Sequence, residues 1–261
     1  MKTALILMHH GLGDLIIATP HFRELHRQGY EVDLMCRIEA KTSHLFDSCP
    51  YVRNIIEIQN PWRSRYGFRE AEGRNNALWK VLRTKYDWSG RAPHKIKNCI
   101  SGIDKIDINT KELFLDIPDD HLEVFIPNEI QSFVDGYLEE IYPDNSDEFI
   151  YQHTYIEFHE EHTWDPEKFI TKYFKKDLPI FDSGTGQEYY LWKNDIRYLF
   201  AVLNRAKHIV LGSSVMVHAA DALGKTIDVI NYGKGDHKVW PRDQSRVKSI
   251  CEHGVWLKEY N

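Results

Sequence analysis

Three stretches of the sequence carry side chains at spacings that could do chemistry. The first is HHGLGDLIIATP, from His9 to Pro20, where Asp14 stands between a glycine turn and a helical pattern, directly after the apolar run ALILM. A carboxylate there can take a proton from a substrate hydroxyl, and it can equally cap a helix and satisfy its dipole. The second is GSSVMVH, from Gly212 to His218. Ser213 and Ser214 follow a strand pattern and open a helix, where hydroxyls, backbone N–H groups and the helix dipole favour a phosphate; plain capping is the alternative. His218, four residues after Ser214, falls one turn along on the same face, either as a ligand contact or as a hydrogen-bonded core residue. The third runs from Trp62 to Lys97 and sets Arg63, Arg65, Arg69, Arg74, Lys80, Arg83, Lys85, Arg91, Lys95 and Lys97 among Trp62, Tyr66, Trp79, Tyr86 and Trp88. Such a surface suits phosphorylated sugars, or a nucleic-acid backbone with a base drawn out of the stack. It also fits a solvated helix face over buried aromatics. The HEEH of His159 to His162 is one residue short of the His-Glu-x-x-His zinc helix, and no metal is assigned.

The elements that must position these groups follow from periodicity. KTALILM reads as a strand, TPHFRELHRQG as a helix stopped at Gly29, and YEVDLMC as an alternating strand, which makes a β-α-β unit. VRNIIEI repeats the strand signal. Asn60 to Asn109 is the least regular stretch, with only NNALWKVLRTKY helical in pattern, and NEIQSFVDGYLEEI is a further helix. YPDNSDE is polar and proline-containing, and reads as a linker. The alternation then restarts: FIYQH as strand, DPEKFITKYF as helix with Asp165 as its cap, LPIFDSG as strand and turn, and NDIRYLFAVLNRA as helix. HIVLG as strand, SSVMVHAADALG as helix closed by Gly224, TIDVINYG as strand and an irregular tail complete the chain. Parallel sheets built this way take ligands at the carboxyl ends of their strands. Two α/β halves with a cleft between them are predicted.

Composition narrows the class. The 261 residues are 42% hydrophobic and 28% charged, ordinary for a globular chain. No apolar run approaches the ~18 residues of a membrane span, and the N-terminus lacks the pattern of a signal peptide, so a cytoplasmic location is expected. Cys36, Cys49, Cys99 and Cys251 are scattered without CxxC spacing, which points to reduced thiols. A formal charge of -6 excludes a broadly basic, sequence-blind nucleic-acid binder but permits a local basic cleft.

Taken together, these stretches resemble the heptosyltransferase-like glycosyltransferases, the family of ADP-heptose:lipopolysaccharide heptosyltransferases. GLGDLIIATPHFRELHRQGYEVDLMC is similar to the family's opening strand, glycine turn, Gly-Asp pair, Thr-Pro and first helix. TWDPEKF is similar to its Trp-Pro-x-Glu-x-Phe segment, NRAKHIVLGSSVMVHAADALGKTIDVINYG to its later strand, phosphate-binding turn, helix and final strand, and KVWP to its closing Trp-x-Pro. The likeness covers most of the first 60 residues and of residues 149 to 241. Two departures stand out. The turn reads Ser213-Ser214-Val215 where the family has Asp or Asn, Ser or Thr, then Gly, and no Lys or Arg lies among His159 to Thr163, ahead of Trp164. His162, with a reference pKa of about 6.5, or Lys225, Lys234, Lys238 or Arg242 would have to offset a leaving diphosphate.

The resemblance implies the GT-B fold in a compact version, two Rossmann-like parallel-sheet α/β domains facing a cleft. Residues 1–143 would bind the acceptor and residues 144–261 the nucleotide sugar. It implies an inverting, metal-independent transferase with no cofactor beyond an ADP- or UDP-type nucleotide-sugar co-substrate. Asp14 takes the place of the general base. Donor contacts fall to Gly13, His153, Gly212, Ser213, Ser214, His218 and Gly233, and acceptor contacts to His10, Arg63, Arg65 and Arg91. The expected acceptor is a (phospho)saccharide such as a lipopolysaccharide core, with peripheral membrane contact. Hydroxymethylated pyrimidines of DNA, as in some bacteriophages, are an alternative acceptor, and a catalytically inactive sugar-nucleotide-binding protein is a third reading.

Overall fold

The computed structural model describes residues 2–9, 11–61, 64–65, 67–92, 105–153, 177–183, 194–212, 214–231, 244–252 and 255–259. The first sheet begins with β1 (Lys2–Leu7), whose last four residues are wholly buried, as befits a central parallel strand covered on both faces. It pairs in parallel with β2 (Tyr30–Arg37), and β2 pairs with β3 (Val52–Ile58). Between β1 and β2 the chain makes two helices, α1 (Leu12–Ile17) and α2 (Thr19–Arg27). Pro20 in the first turn of α2 costs no hydrogen bond, and Gly29 takes the positive φ of +86° that ends it.

On the other side of β1 lies β4 (Trp88–Arg91), giving the order β3-β2-β1-β4. The polar WSGR carries no strand pattern, so it escapes a periodicity reading. Its place in the sheet depends on Gly90, where a Cβ would meet Cδ2 of Leu113 and the Trp88 ring at 2.5 Å. The irregular region is likewise more helical than expected: α4 spans Phe68–Leu82, starting well before NNALWKVL, and α5 spans Lys105–Leu113. Helices α3 (Glu39–Thr42) and α6 (Asn128–Ile141) complete this part.

The second sheet has the order β10-β9-β8-β7-β5-β6. It contains β5 (Ile150–His153), β6 (Ile180–Asp182), β7 (His208–Gly212) and β8 (Ile227–Asn231), all parallel. Helix α7 (Ile196–Arg205) follows β6, and its N-cap Asp195 accepts the Arg197 N–H at 3.0 Å. Helix α8 (Val215–Ala222) follows β7 and closes at Gly224, with φ +71°. The expected irregular tail is instead β9 (Val247–Glu252) and β10 (Val255–Glu259), an antiparallel pair two residues apart that extends the sheet. The helix expected at DPEKFITKYF lies outside the described residues.

One continuous cluster of buried apolar side chains joins the two sheets, from Ala4 and Ile6 through Leu15, Ile16 and Phe46 to Leu199, Phe200, Met216 and Val247. Polar links cross the same boundary: the Ile196 N–H donates to the Ser43 carbonyl at 3.0 Å, and Arg197 Nη1 to Ser48 Oγ at 3.0 Å. Asp33 is the best-matched buried carboxylate of the first sheet. The Asp33 carboxylate accepts from Arg53, Asn54 and the Tyr86 hydroxyl at 2.7–3.0 Å. Burial would raise its pKa, but those bonds outweigh it and hold the carboxyl below the usual range. Cys36 and Cys49 are free thiols, pushed by burial up to about 12 and about 11, as expected of reduced structural cysteines.

His21 on α2 is fully buried, its Nε2 3.2 Å from Thr110 Oγ1, and desolvation lowers its pKa from 6.5 to about 4. The unfolded chain therefore takes up a proton below about pH 6.5 that the folded chain refuses. Stability is complete above that pH and falls as the pH drops towards about 4, by up to about 3 kcal/mol. In urea unfolding between pH 7 and pH 4, His21→Asn should flatten that slope by a comparable amount.

Candidate active site

In the first sheet the strand order reverses at β1: the chain leaves β1 for β2 on one side and later returns to β4 on the other. Crevices at such points lie outside the carboxyl ends of the strands. Asp14 occupies this one, half-buried in the first turn of α1. Its Oδ2 accepts the Gly11 N–H at 3.3 Å, so Asp14 is not the N-cap, which is Gly11, but the N3 residue that reaches back to it. That bond fixes the carboxylate's orientation at the mouth of the crevice.

Two arginines end the strands that flank β1. Arg91, paired in register with Leu7, closes β4; it is exposed, and its Nη1 donates to Asn76 Oδ1 at 3.1 Å. Arg37 closes β2 and is clasped by Glu39, with Nη2 to Oε1 at 2.6 Å and Nε to Oε2 at 3.3 Å. Asn60 Nδ2 donates to the same Oε1 at 2.9 Å. Burial alone would raise the Glu39 pKa; the Arg37 and Asn60 bonds outweigh it and keep the group ionised. A Cβ on Gly11 would lie 3.8 Å from Arg37 Nη1, which places this guanidinium beside the turn that carries Asp14. The Arg37, Glu39 and Asn60 group was not singled out from sequence. Its one signal is a charged residue that closes an otherwise buried strand.

The second sheet reverses between β5 and β7. His153 ends β5 and sits in register with Leu211, next to Gly212 at the end of β7. Ser214 caps α8, its Oγ accepting the Met216 N–H at 3.3 Å. His153, Gly212 and Ser214 thus share one strand-end crevice. His153 Nδ1 lies 2.8 Å from Ser183 Oγ, and that buried hydroxyl also lies 2.8 Å from the Tyr151 hydroxyl and 3.1 Å from the Gln152 carbonyl. Desolvation brings the His153 pKa down to about 4, so the ring is neutral near pH 7. Ser183 and Tyr151 were also missed; FDSG after a strand was the one trace of Ser183, and Tyr151 stood within the strand FIYQH.

His218 is 3% exposed and faces the other half of the molecule. A Cβ on Gly13 would stand 2.8 Å from its Cδ2 and 3.5 Å from the Val215 Cα. The structure therefore brings Gly13 and His218 together, helix α1 against helix α8. Arg65 is exposed just ahead of α4. His10, Arg63, Ser213 and Gly233 lie outside the described residues, as do His162, Lys234, Lys238 and Arg242; Lys225 Nζ is engaged by the Asn204 carbonyl.

The basic and aromatic stretch resolves towards packing where it is described. Trp79 is half-buried under Arg83, whose guanidinium carbon lies 4.8 Å from the ring centroid. The Tyr86 hydroxyl is held by Asp33 at 2.7 Å, and Trp88 packs on the shared core. A base-stacking platform would need these rings open to solvent. Among the described residues no helix is long and apolar enough to cross a membrane, and no group of three or more His, Cys, Asp or Glu could hold a metal ion.

No protein-family model matches the sequence, and no curated protein matches it either. Solved structures do match in fold. The glycosyl transferase family 9 protein from Veillonella parvula is similar over 100% of this chain and 88% of its own, at 14% identity and a TM-score of 0.63. E. coli ADP-heptose lps heptosyltransferase II is similar over 97% and 90%, at 11% identity and a TM-score of 0.61. E. coli heptosyltransferase WaaC with ADP is similar over 96% and 93%, at 13% identity and a TM-score of 0.54. The likeness is one of fold: two parallel-sheet α/β units in the compact GT-B arrangement.

If Ser214 acts on α8 as a cap, replacing it should follow the capping scale. Ser214→Ala should cost about 1 kcal/mol and Ser214→Gly only a few tenths, measured by denaturant unfolding at pH 7.

Proposed function

We propose that the protein is a glycosyltransferase that moves a sugar from a nucleotide-sugar donor to a hydroxyl of a saccharide acceptor. The observation that carries this reading is the meeting of the two switch-point crevices: α1, which bears Asp14, lies directly on α8, which Ser214 opens. Nothing in either half alone requires that placement. Support also comes from the fold shared with the E. coli heptosyltransferases.

In this reading the donor diphosphate lies against the first turn of α8, where the N–H groups and helix dipole favour negative charge. Neutral His153 serves as a hydrogen-bonding partner rather than as a cation. The acceptor hydroxyl oxygen attacks the anomeric carbon, its proton passes to the Asp14 carboxylate, and the bond from that carbon to the diphosphate oxygen breaks with its electron pair going to the leaving group. Attack opposite the leaving group inverts the anomeric configuration. The step requires no metal, because helix N–H groups supply the stabilisation. Arg37 and Arg91, one strand to either side of Asp14, suit an acceptor that carries phosphate or carboxylate groups, with an ADP- or UDP-type donor.

Titration calorimetry with ADP, UDP and GDP, followed by assays of nucleoside diphosphate release from the matching sugar nucleotides, tests this. One nucleotide should bind with a Kd on the order of micromolar, and Asp14→Asn should keep that binding while lowering transfer by about 10²-fold or more. Binding without turnover by the wild type on any acceptor would leave a sugar-nucleotide-binding protein. Absence of nucleotide binding would remove the transferase reading altogether.

A further inference from the structure

At position 13 a side chain would have nowhere to go. The ideal Cβ falls 2.8 Å from His218 Cδ2, closer than real Cβ contacts come, and 3.5 Å from both His218 Nε2 and the Val215 Cα. The obstacle cannot swing aside cheaply, because the imidazole is 3% exposed and close-packed interiors give little room. Around this point the contact is apolar and continuous: Leu15, Ile16 and Ile17 of α1 and Met216, Val217, Ala219 and Ala220 of α8 are all buried. Val215 packs on the same cluster. A large apolar boundary of this kind suppresses relative motion of two halves that would otherwise hinge.

We infer that the seat of Gly13 on His218 and Val215 is a positioning device: it sets the arrangement of the two α/β halves, and through it the distance of Asp14 from the Ser214 end of α8. Gly13 and His218 act here through Asp14, as positioning residues, rather than as contacts to the donor. Val215 belongs to the same seat through its Cα, and its side chain packs on the shared core. The catalytic meaning rests on the transferase reading above; the mechanical claim does not.

The closing experiment separates the two. Spin labels carried on noncanonical amino acids at exposed Glu57 and Lys207, one in each half, report the distance between the halves by pulsed dipolar spectroscopy. The wild type should give one narrow distribution, unchanged by nucleotide. Gly13→Ala should broaden or shift it, and adding His218→Ala, which removes the ring, should restore it. If Gly13→Ala fails to fold, recovery of the fold and distance in the double variant supports the seat, and failure to recover overturns it. An unchanged distribution in Gly13→Ala also overturns it. With turnover in hand, Gly13→Ala should lower kcat about tenfold or more with nucleotide Kd altered less than about threefold; equal kcat at a shifted distance would overturn the positioning role. Loss of the transferase reading would leave the distance result standing.

Discussion

A missing methyl group at position 13 is the constraint on which the rest of the molecule depends. Two Rossmann-like sheets pack against helices, and the helices that follow β1 and β7 meet. They can do so only because one of them presents bare backbone to the imidazole of the other. From that contact the buried cluster spreads without a break into both sheets. In the transferase reading the two strand-end crevices then become the two walls of one site.

Within those walls the polar groups are fixed rather than loose. Asp14 is oriented by the N–H of Gly11, Arg37 by Glu39, Glu39 by Asn60, and His153 by Ser183. Each of these bonds withdraws a side chain from free rotation before any ligand arrives, which lowers the ordering cost that a ligand would otherwise meet. The charge pattern is uneven in a useful way. The first wall carries ionised groups of both signs, while the second offers a neutral imidazole, hydroxyls and backbone N–H groups. An acidic acceptor and a diphosphate leaving group would thus be met by different chemistries, one ionic and the other dipolar.

Much of this was legible in the sequence, for reasons that can be named. Helices α2, α6, α7 and α8 and strands β1, β2, β3, β5, β7 and β8 carry local signals in the sequence, the caps Asp195 and Ser214 among them, and their positions place Asp14, His153, Gly212 and Ser214 at strand ends. The elements that escaped have weak local signals. Strand β4 is polar and owes its place to Leu113 crossing over Gly90, and the β9–β10 pair is stabilised by a sheet built elsewhere in the chain. The same holds for the site. A cap or a glycine turn announces itself within a few residues, whereas the Arg37–Glu39–Asn60 clasp and the approach of Gly13 to His218 join distant segments that no periodicity connects. The aromatic residues Trp79, Tyr86 and Trp88 looked like a binding surface for the same reason: composition shows which side chains are present, but only packing shows which way they are spent.

The shared core also governs how the chain can reach this state. The first half, once synthesised, has α1 with Leu15, Ile16 and Ile17 and no α8 to receive them, because β7 and α8 belong to the second half. Parallel pairing already makes such folds slow, since distant strands must find each other before either is rewarded. Here the delay extends across both halves, and the apolar underside of α1 waits for α8, which begins only at Val215. The halves are therefore expected to melt in one cooperative transition, and an interrupted chain to be a substrate for chaperones rather than a smaller folded protein.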